Sequence, residues 1–225
     1  MIELAALDVA GTTIDEGGAV YVALHDAVAA EGVTVSDEAL RRWMGTDKRA
    51  AVAGLVRDAG RPDPTSDDVE RMYARFRDQL AAAYAEHPPQ PIAGVPEAIA
   101  ALRANGTKVA LTTGFSREVV DPLLAGLGWE QGVVDAIVCV DDVPAGRPAP
   151  YLVFRAMERT GVTDVRRVLV AGDTAADLQS GTNAGAALVV GVGSGAVPLD
   201  VLRAEPHTHL VASVADLPAL VASQP

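Results

Sequence analysis

The stretch Leu4-Ala5-Ala6-Leu7-Asp8-Val9-Ala10-Gly11-Thr12-Thr13-Ile14-Asp15 decides the fold. A short apolar run, of the length of a fully buried strand, ends on a carboxylate. Small, turn-forming and hydroxyl-bearing residues follow at once. This places Asp8 at the carboxyl end of a strand. In open α/β sheets that rim is where ligands sit, because helices cover both faces. A turn or helix-capping role would suffice for Asp8 taken alone. The rest of the chain argues for more.

Composition bounds the answer. With 225 residues, 49% of them hydrophobic, the chain can fill one large core or a core with a smaller insert. A formal net charge of −12 with no basic run argues against nucleic acid and anionic membrane surfaces as partners. An anionic substrate therefore needs a local cation or a metal. The single Cys139 permits no internal disulfide and fits a reducing cytosol, and the first residues lack the layout of a secretory signal, so a cytoplasmic location is expected. No apolar run is long enough to span a bilayer.

Outward from the first strand, the texture changes twice. Helical patterns run over Tyr21 to Glu31, Asp37 to Met44, Asp47 to Ala59 and Asp67 to Glu86, punctuated by Gly32, Gly45 and Gly60. His87-Pro88-Pro89-Gln90-Pro91 then reads as a stiff, extended connector. Beyond it, strands expected at Lys108 to Thr112, Ala136 to Cys139, Val168 to Ala171, Leu188 to Val192 and His209 to Ala212 alternate with helices. Helices are expected at Pro96 to Ala104, Glu118 to Leu127, Ala149 to Thr160, Ala175 to Ala184 and Asp216 to Ala222. Such alternation implies right-handed crossovers and a mainly parallel sheet. The expected architecture is α/β: a Rossmann-like core of residues 1–15 and 92–225, with an α-helical cap, residues 16–91, inserted over the rim that holds Asp8.

Later strand ends carry matching chemistry. Val109-Ala110-Leu111 runs into Thr112-Thr113-Gly114, and Val168-Leu169-Val170-Ala171 runs into Gly172-Asp173-Thr174-Ala175-Ala176-Asp177, with its two acids one helical turn apart. Arg147 lies on the loop between them. Each has an ordinary explanation as a turn, a solvated charge or a helix-start acid. Their convergence on one rim is better explained by one site. Such a site suits phosphoryl transfer with Asp8 as nucleophile and a hard cation such as Mg²⁺ held by Asp8 and Asp173. Thr113, Arg147 and the amides of the Gly11-Thr12 turn would hold the phosphoryl oxygens, and Asp177 would orient a metal ligand or water.

Across its whole length the sequence resembles the haloacid dehalogenase superfamily, most specifically in Gly172-Asp173-Thr174-Ala175-Ala176-Asp177-Leu178 and the following Gly181-Thr182-Asn183-Ala184-Gly185. Superfamily phosphatases usually carry a second Asp two residues after the nucleophile, to protonate the departing ester oxygen; here that residue is Ala10. Asp8-Val9-Ala10-Gly11-Thr12-Thr13, with Arg147 in place of the usual Lys, resembles the phosphonatase branch, whose enzyme hydrolyses phosphonoacetaldehyde. The resemblance implies Mg²⁺ as cofactor, with the Ala10 backbone carbonyl among its ligands, a small phosphonate or phosphate substrate, and a homodimer. It also implies substrate contacts from Ala10, Gly11, Thr12, Met44, Gly114 and Phe115.

That branch carries a cap lysine, matched by Lys48 in Met44-Gly45-Thr46-Asp47-Lys48. Breaking a carbon–phosphorus bond expels a carbanion, which protonating an oxygen does not help. An imine between Lys48 and a substrate carbonyl supplies the electron sink, so the loss at Ala10 and the gain at Lys48 have one explanation. With Thr46 as N-cap, Lys48 falls in the first turn of a helix, where the dipole favours the free amine and Asp47 opposes it.

The chain departs from the branch at Gly18, Ala51 and Phe115, where the phosphonatase has Cys, His and Tyr. A phosphonatase-like enzyme acting on phosphonoacetaldehyde or a related 2-oxoalkylphosphonate is the expectation. A phosphate monoesterase of the phosphoglycolate phosphatase kind and a non-catalytic phosphate- or partner-binding relative are the alternatives. Gly191-Val192-Gly193-Ser194-Gly195 lacks dinucleotide-loop spacing and reads as a rim loop. The four histidines form no ligand set, and Trp43 suits core packing as well as substrate contact.

Overall fold

The computed structural model describes residues 1–129 and 132–224. Strand β1 (Leu4–Asp8) is buried along its whole length, as its apolar run requires. It lies centrally in a six-stranded sheet with β4 (Lys108–Thr112), β5 (Ala136–Val138), β6 (Val168–Gly172), β7 (Leu188–Val192) and β8 (His209–Val211), in the order β5-β4-β1-β6-β7-β8. Every pairing in this sheet is parallel. The chain leaves β1 toward β4 on one side and reaches β6 on the other, so the crevice beyond the carboxyl end of β1 is a topological switch point. In register, Asp8 stands beside Thr112, and Leu7 beside Ala171, two residues before Asp173.

Five longer helices complete this α/β unit: α5 (Val95–Ala104), α6 (Arg117–Gly126), α7 (Tyr151–Thr160), α8 (Ala175–Ala184) and α10 (Leu217–Ala222); a single turn, α9 (Leu199–Leu202), precedes β8. Alternation along β1 divides the core. Leu4 and Ala6 pack with Ala110, Val170 and Leu152 of α7 on one face, while Ala5 and Leu7 join Leu111, Ile99 and Leu102 on the other.

Four helices lie between Asp15 and Gln90: α1 (Ala19–Ala29), α2 (Asp37–Trp43), α3 (Lys48–Asp58) and α4 (Ser66–Glu86). Thr65 and Asp68 form a reciprocal capping box that starts α4, and Phe76 and Leu80 of its inner face are fully buried with Leu24 and Leu55. The end of residues 87–91, expected as a plain extended connector, in fact pairs. Gln90–Pro91 (β3) runs antiparallel to Ile14–Asp15 (β2), so the chain enters and leaves the helical segment through one two-stranded ribbon. Local pattern carries no sign of such a pairing, because its two halves lie far apart in the sequence.

Most helix and strand bounds match the sequence reading to within two residues. The helix expected from Ala149 starts at Tyr151, with Pro150 as its N-cap, and Cys139 leaves the strand to open a 3₁₀ turn at Val140–Asp142. No helix among the described residues is long and apolar enough to cross a membrane.

Candidate active site

Asp8 is buried at the rim, where Arg147 meets it: Arg147 Nη1 donates to Asp8 Oδ1 at 2.5 Å. The same nitrogen lies 2.8 Å from Asp177 Oδ1, a charge contact without hydrogen-bond alignment. Arg147 Nη2 donates to the Thr112 carbonyl and hydroxyl oxygens at 3.0 and 2.8 Å. A planar, always charged fork suits this task, since it spans two carboxylates and a strand end at once. The loop after β1 is fastened in turn. Thr12 Oγ1 donates to Asp173 Oδ1 at 2.9 Å, and Thr13 Oγ1 donates to the Asp8 carbonyl at 2.9 Å. Ser194, from the loop beyond β7, donates to the Gly11 carbonyl at 2.8 Å.

The α2–α3 turn closes onto this rim. A Cβ added to Gly45 would overlap Thr174 Oγ1, and one added to Gly114 would overlap the Thr46 carbonyl oxygen, so both contacts need a bare backbone. The approach buries Lys48 to 4% exposure. Its Nζ donates to the Thr46 carbonyl at 3.0 Å and lies 5.4 Å from the centre of the Phe115 ring. Lys48, Asp8, Thr113 and Asp173 line one small cavity of about 40 Å³ between the turn and the rim.

Electrostatics follow from burial. Burial lowers the Lys48 amine to about 8, against the pull of Asp8 and Asp47. Burial raises Asp173 well above the usual carboxylate range, reinforced by Asp8 and Asp177. Asp177 is pushed up to about 7 by burial, with Arg147 opposing. Three carboxylates thus face one fully charged partner, and Asp177 Oδ1 has no hydrogen bond. Carboxylate oxygens of Asp8, Asp173 and Asp177 lie within 4.8 Å of one another. This all-oxygen, charge-deficient set fits a hard divalent cation.

Residues 2–185 match the model of a family described as haloacid dehalogenase-like hydrolase. The chain belongs to the haloacid dehalogenase-like hydrolases. It is 34% identical over 194 residues to a phosphonoacetaldehyde hydrolase of Bacillus cereus, a match covering 82% of this chain and 73% of that one. In fold it is similar to a phosphonoacetaldehyde hydrolase-like protein from Oleispira antarctica, with TM-score 0.83, 24% identity and coverage of 98% and 91% of the two chains. It is likewise similar to a hydrolase from Pseudomonas syringae, with TM-score 0.86, 20% identity and full coverage of both chains. Family membership makes the chain a hydrolase, and the branch resemblance read from Ala10, Arg147 and Lys48 agrees with the Bacillus match.

Within this hydrolase, most residues singled out from the sequence share one place. Ala10, Gly11, Met44, Gly114 and Phe115 line the cavity with Asp8 and Lys48. Thr12 and Arg147 lie behind it, as partners of Asp173 and Asp8. Thr113 Oγ1 accepts from the Phe115 amide at 3.0 Å. Asp177 has two attachments: Thr174 Oγ1 donates to its Oδ2 at 2.5 Å in the capping box of α8, while Oδ1 faces Arg147.

Two expectations fail. The amides of the Gly11-Thr12 turn do not face a phosphoryl group: Gly11 N donates to the Ile14 carbonyl at 2.8 Å and Thr12 N to the Val9 carbonyl at 3.4 Å, closing the loop on itself. Asp47, not Thr46, caps α3, its Oδ1 accepting from Ala50 N at 2.7 Å. Thr46 Oγ1 instead donates back to the Trp43 carbonyl at 2.6 Å, closing the turn after α2. Lys48 is therefore the first residue of α3. Trp43 packs over Gly54 and donates to Asp58 Oδ2 at 2.9 Å. The sequence reading missed Glu16, Val20, Tyr21 and Ala196, which also line the cavity. Glu16 and Tyr21 lie in a turn and an ordinary amphipathic helix, with no local motif to mark them.

Proposed function

We propose that this hydrolase cleaves the carbon–phosphorus bond of phosphonoacetaldehyde or a related 2-oxoalkylphosphonate, with residues 16–91 as the cap. The observation that carries the reading is the buried Lys48 amine, lowered to about 8 and sharing a cavity with Asp8. Burying an amine costs free energy whatever its role, and the desolvation that costs it also leaves the neutral, nucleophilic form accessible near neutral pH.

In this reading the Lys48 lone pair attacks the substrate carbonyl carbon, and the oxygen takes one amine proton and one further proton and leaves as water, giving a protonated imine. Asp8 then attacks phosphorus in line. The carbon–phosphorus bond breaks with its electron pair drawn toward the imine nitrogen, leaving an enamine on Lys48 and an aspartyl phosphate on Asp8. Ala10 removes a side-chain acid that this route has no use for. Arg147 holds the Asp8 carboxylate in place, and the Thr113 hydroxyl receives a phosphoryl oxygen. Mg²⁺, held by Asp8, Asp173, Asp177 and the Ala10 carbonyl, would offset repulsion between carboxylate and phosphoryl group. The similarity to the Bacillus phosphonoacetaldehyde hydrolase supports this choice of substrate.

The test is borohydride reduction in the presence of Mg²⁺ and phosphonoacetaldehyde, followed by peptide mass analysis. A reduced adduct on Lys48 and phosphate release are expected, with Lys48→Arg losing both. Asp8→Asn should lower phosphate release at least ~10³-fold. Turnover of an aryl phosphate with no adduct would replace this reading by a monoesterase.

A further inference from the structure

Among the described residues, five buried side-chain polar atoms lack a hydrogen-bond partner: Tyr21 Oη, Arg77 Nε, Gln79 Oε1, Tyr84 Oη and Asp177 Oδ1. Asp177 Oδ1 belongs to the acidic cluster. Of the others, only Tyr21 belongs to the cavity that holds Asp8 and Lys48. A buried hydroxyl with no partner is destabilising, and it persists where a ligand supplies the missing bond. Glu16 lines the same cavity, its carboxylate seated on the start of α1 with Val20 N donating to Oε2 at 2.8 Å.

Imine formation needs an acid near the carbonyl oxygen, because hydroxide is a poor leaving group. The other polar groups of the cavity belong to the phosphoryl and metal end in the reading above. Asp8 is held by Arg147, Asp173 by Thr12, Thr174 by Asp177, and Thr113 accepts from the Phe115 amide. Around Lys48, Phe115 and Ala51 offer no exchangeable proton. Glu16 and Tyr21 remain.

We propose that Glu16 and Tyr21 form the carbonyl subsite of the cavity: Tyr21 Oη donates to the substrate's carbonyl oxygen, and Glu16 is the acid that releases that oxygen as water. The proposal rests on the imine reading of Lys48. As the Lys48 nitrogen bonds to carbon, the carbonyl π pair moves to oxygen, which takes one amine proton to give the carbinolamine. The C–O bond then breaks with its pair on oxygen, the Glu16 proton completes water, and the nitrogen lone pair closes the C=N bond. Glu16, left as carboxylate, recovers a proton when water later adds to the imine of the released carbon fragment. Burial favours the protonated carboxyl that this step requires, since it raises the Glu16 acid. Here Glu16 acts as a catalytic residue and Tyr21 orients the group being attacked.

The experiment follows the rate of borohydride-trapped adduct on Lys48 with phosphonoacetaldehyde in the wild type, Tyr21→Phe and Glu16→Gln. A parallel thermal melt with Mg²⁺ and inorganic phosphate reports the phosphoryl end of the site. We expect trapping to slow at least tenfold in each variant, with the melting shift from Mg²⁺ and phosphate kept. Trapping at the wild-type rate in both variants overturns the proposal and leaves the imine reading intact. Loss of the Mg²⁺ and phosphate shift in Tyr21→Phe, with trapping unchanged, also overturns it, by assigning the hydroxyl to the metal side. No adduct in the wild type removes the imine reading and this subsite together. Should Glu16→Gln disturb α1, Glu16→Ala with added formate decides: restored trapping supports proton transfer, and no restoration overturns it.

Discussion

At the residue scale, the proposed chemistry turns on Lys48. Its place as the first residue of α3 matters less than its burial, which is the larger cause of the lowered pKa. The sequence singles out Lys48 by its resemblance to the branch motif and expects the helix dipole to lower its pKa, yet the Asp47 cap, with its negative charge, works against that effect. Desolvation is what favours the neutral amine, and desolvation is a property of the closed structure. A pH dependence follows. Only the neutral amine attacks carbonyl carbon, so carbon–phosphorus cleavage should rise about tenfold per pH unit below pH 8 and level off above it. A lysine at its ordinary value of 10.5 would keep the rate rising to much higher pH. The pH profile of phosphate release from phosphonoacetaldehyde, measured with saturating Mg²⁺, checks this.

At the scale of elements, the site is a junction between one turn and one sheet edge. The strand ends carrying Asp8, Thr112 and Asp173 were legible because each finishes an apolar run on a polar residue. How the α2–α3 turn meets them was not, since nothing local marks Gly114 as the floor beneath the Thr46 carbonyl. Gly114→Ala should push the turn off the rim and lower kcat/KM at least ~10-fold, with an overpacking cost of about 1–3 kcal/mol at most. Steady-state kinetics and thermal denaturation on one preparation separate the two effects. Far from the site, Thr65→Ala removes the capping box of α4 and should cost about 1 kcal/mol while leaving turnover unchanged, as denaturant melts and the same assay would show.

At the scale of the whole molecule, sheet topology gathers more negative charge in one place than Arg147 balances. The folded pKa values of Asp173 and Asp177 lie above their ordinary 3.8, so the metal-free native state binds more protons than the unfolded chain between about pH 4 and 7. This part of the stability is present at low pH and lost as pH rises through that window. Mg²⁺ should therefore raise the melting temperature more at pH 7.5 than at pH 5, and scanning fluorimetry with and without EDTA at both values reads the difference. Equal shifts would count against a cation held by these acids.

By itself the sequence determined the parallel α/β core and the helices before that core resumes, and it brought forward Asp8, Arg147 and Asp173 as candidates from strand ends and Lys48 from a motif, because these are local patterns of one chain segment. Tertiary structure alone decided the β2–β3 ribbon, the burial that lowers Lys48, and the entry of Glu16 and Tyr21 into the cavity. Each of these depends on segments distant in sequence excluding water from one another, which no local pattern records.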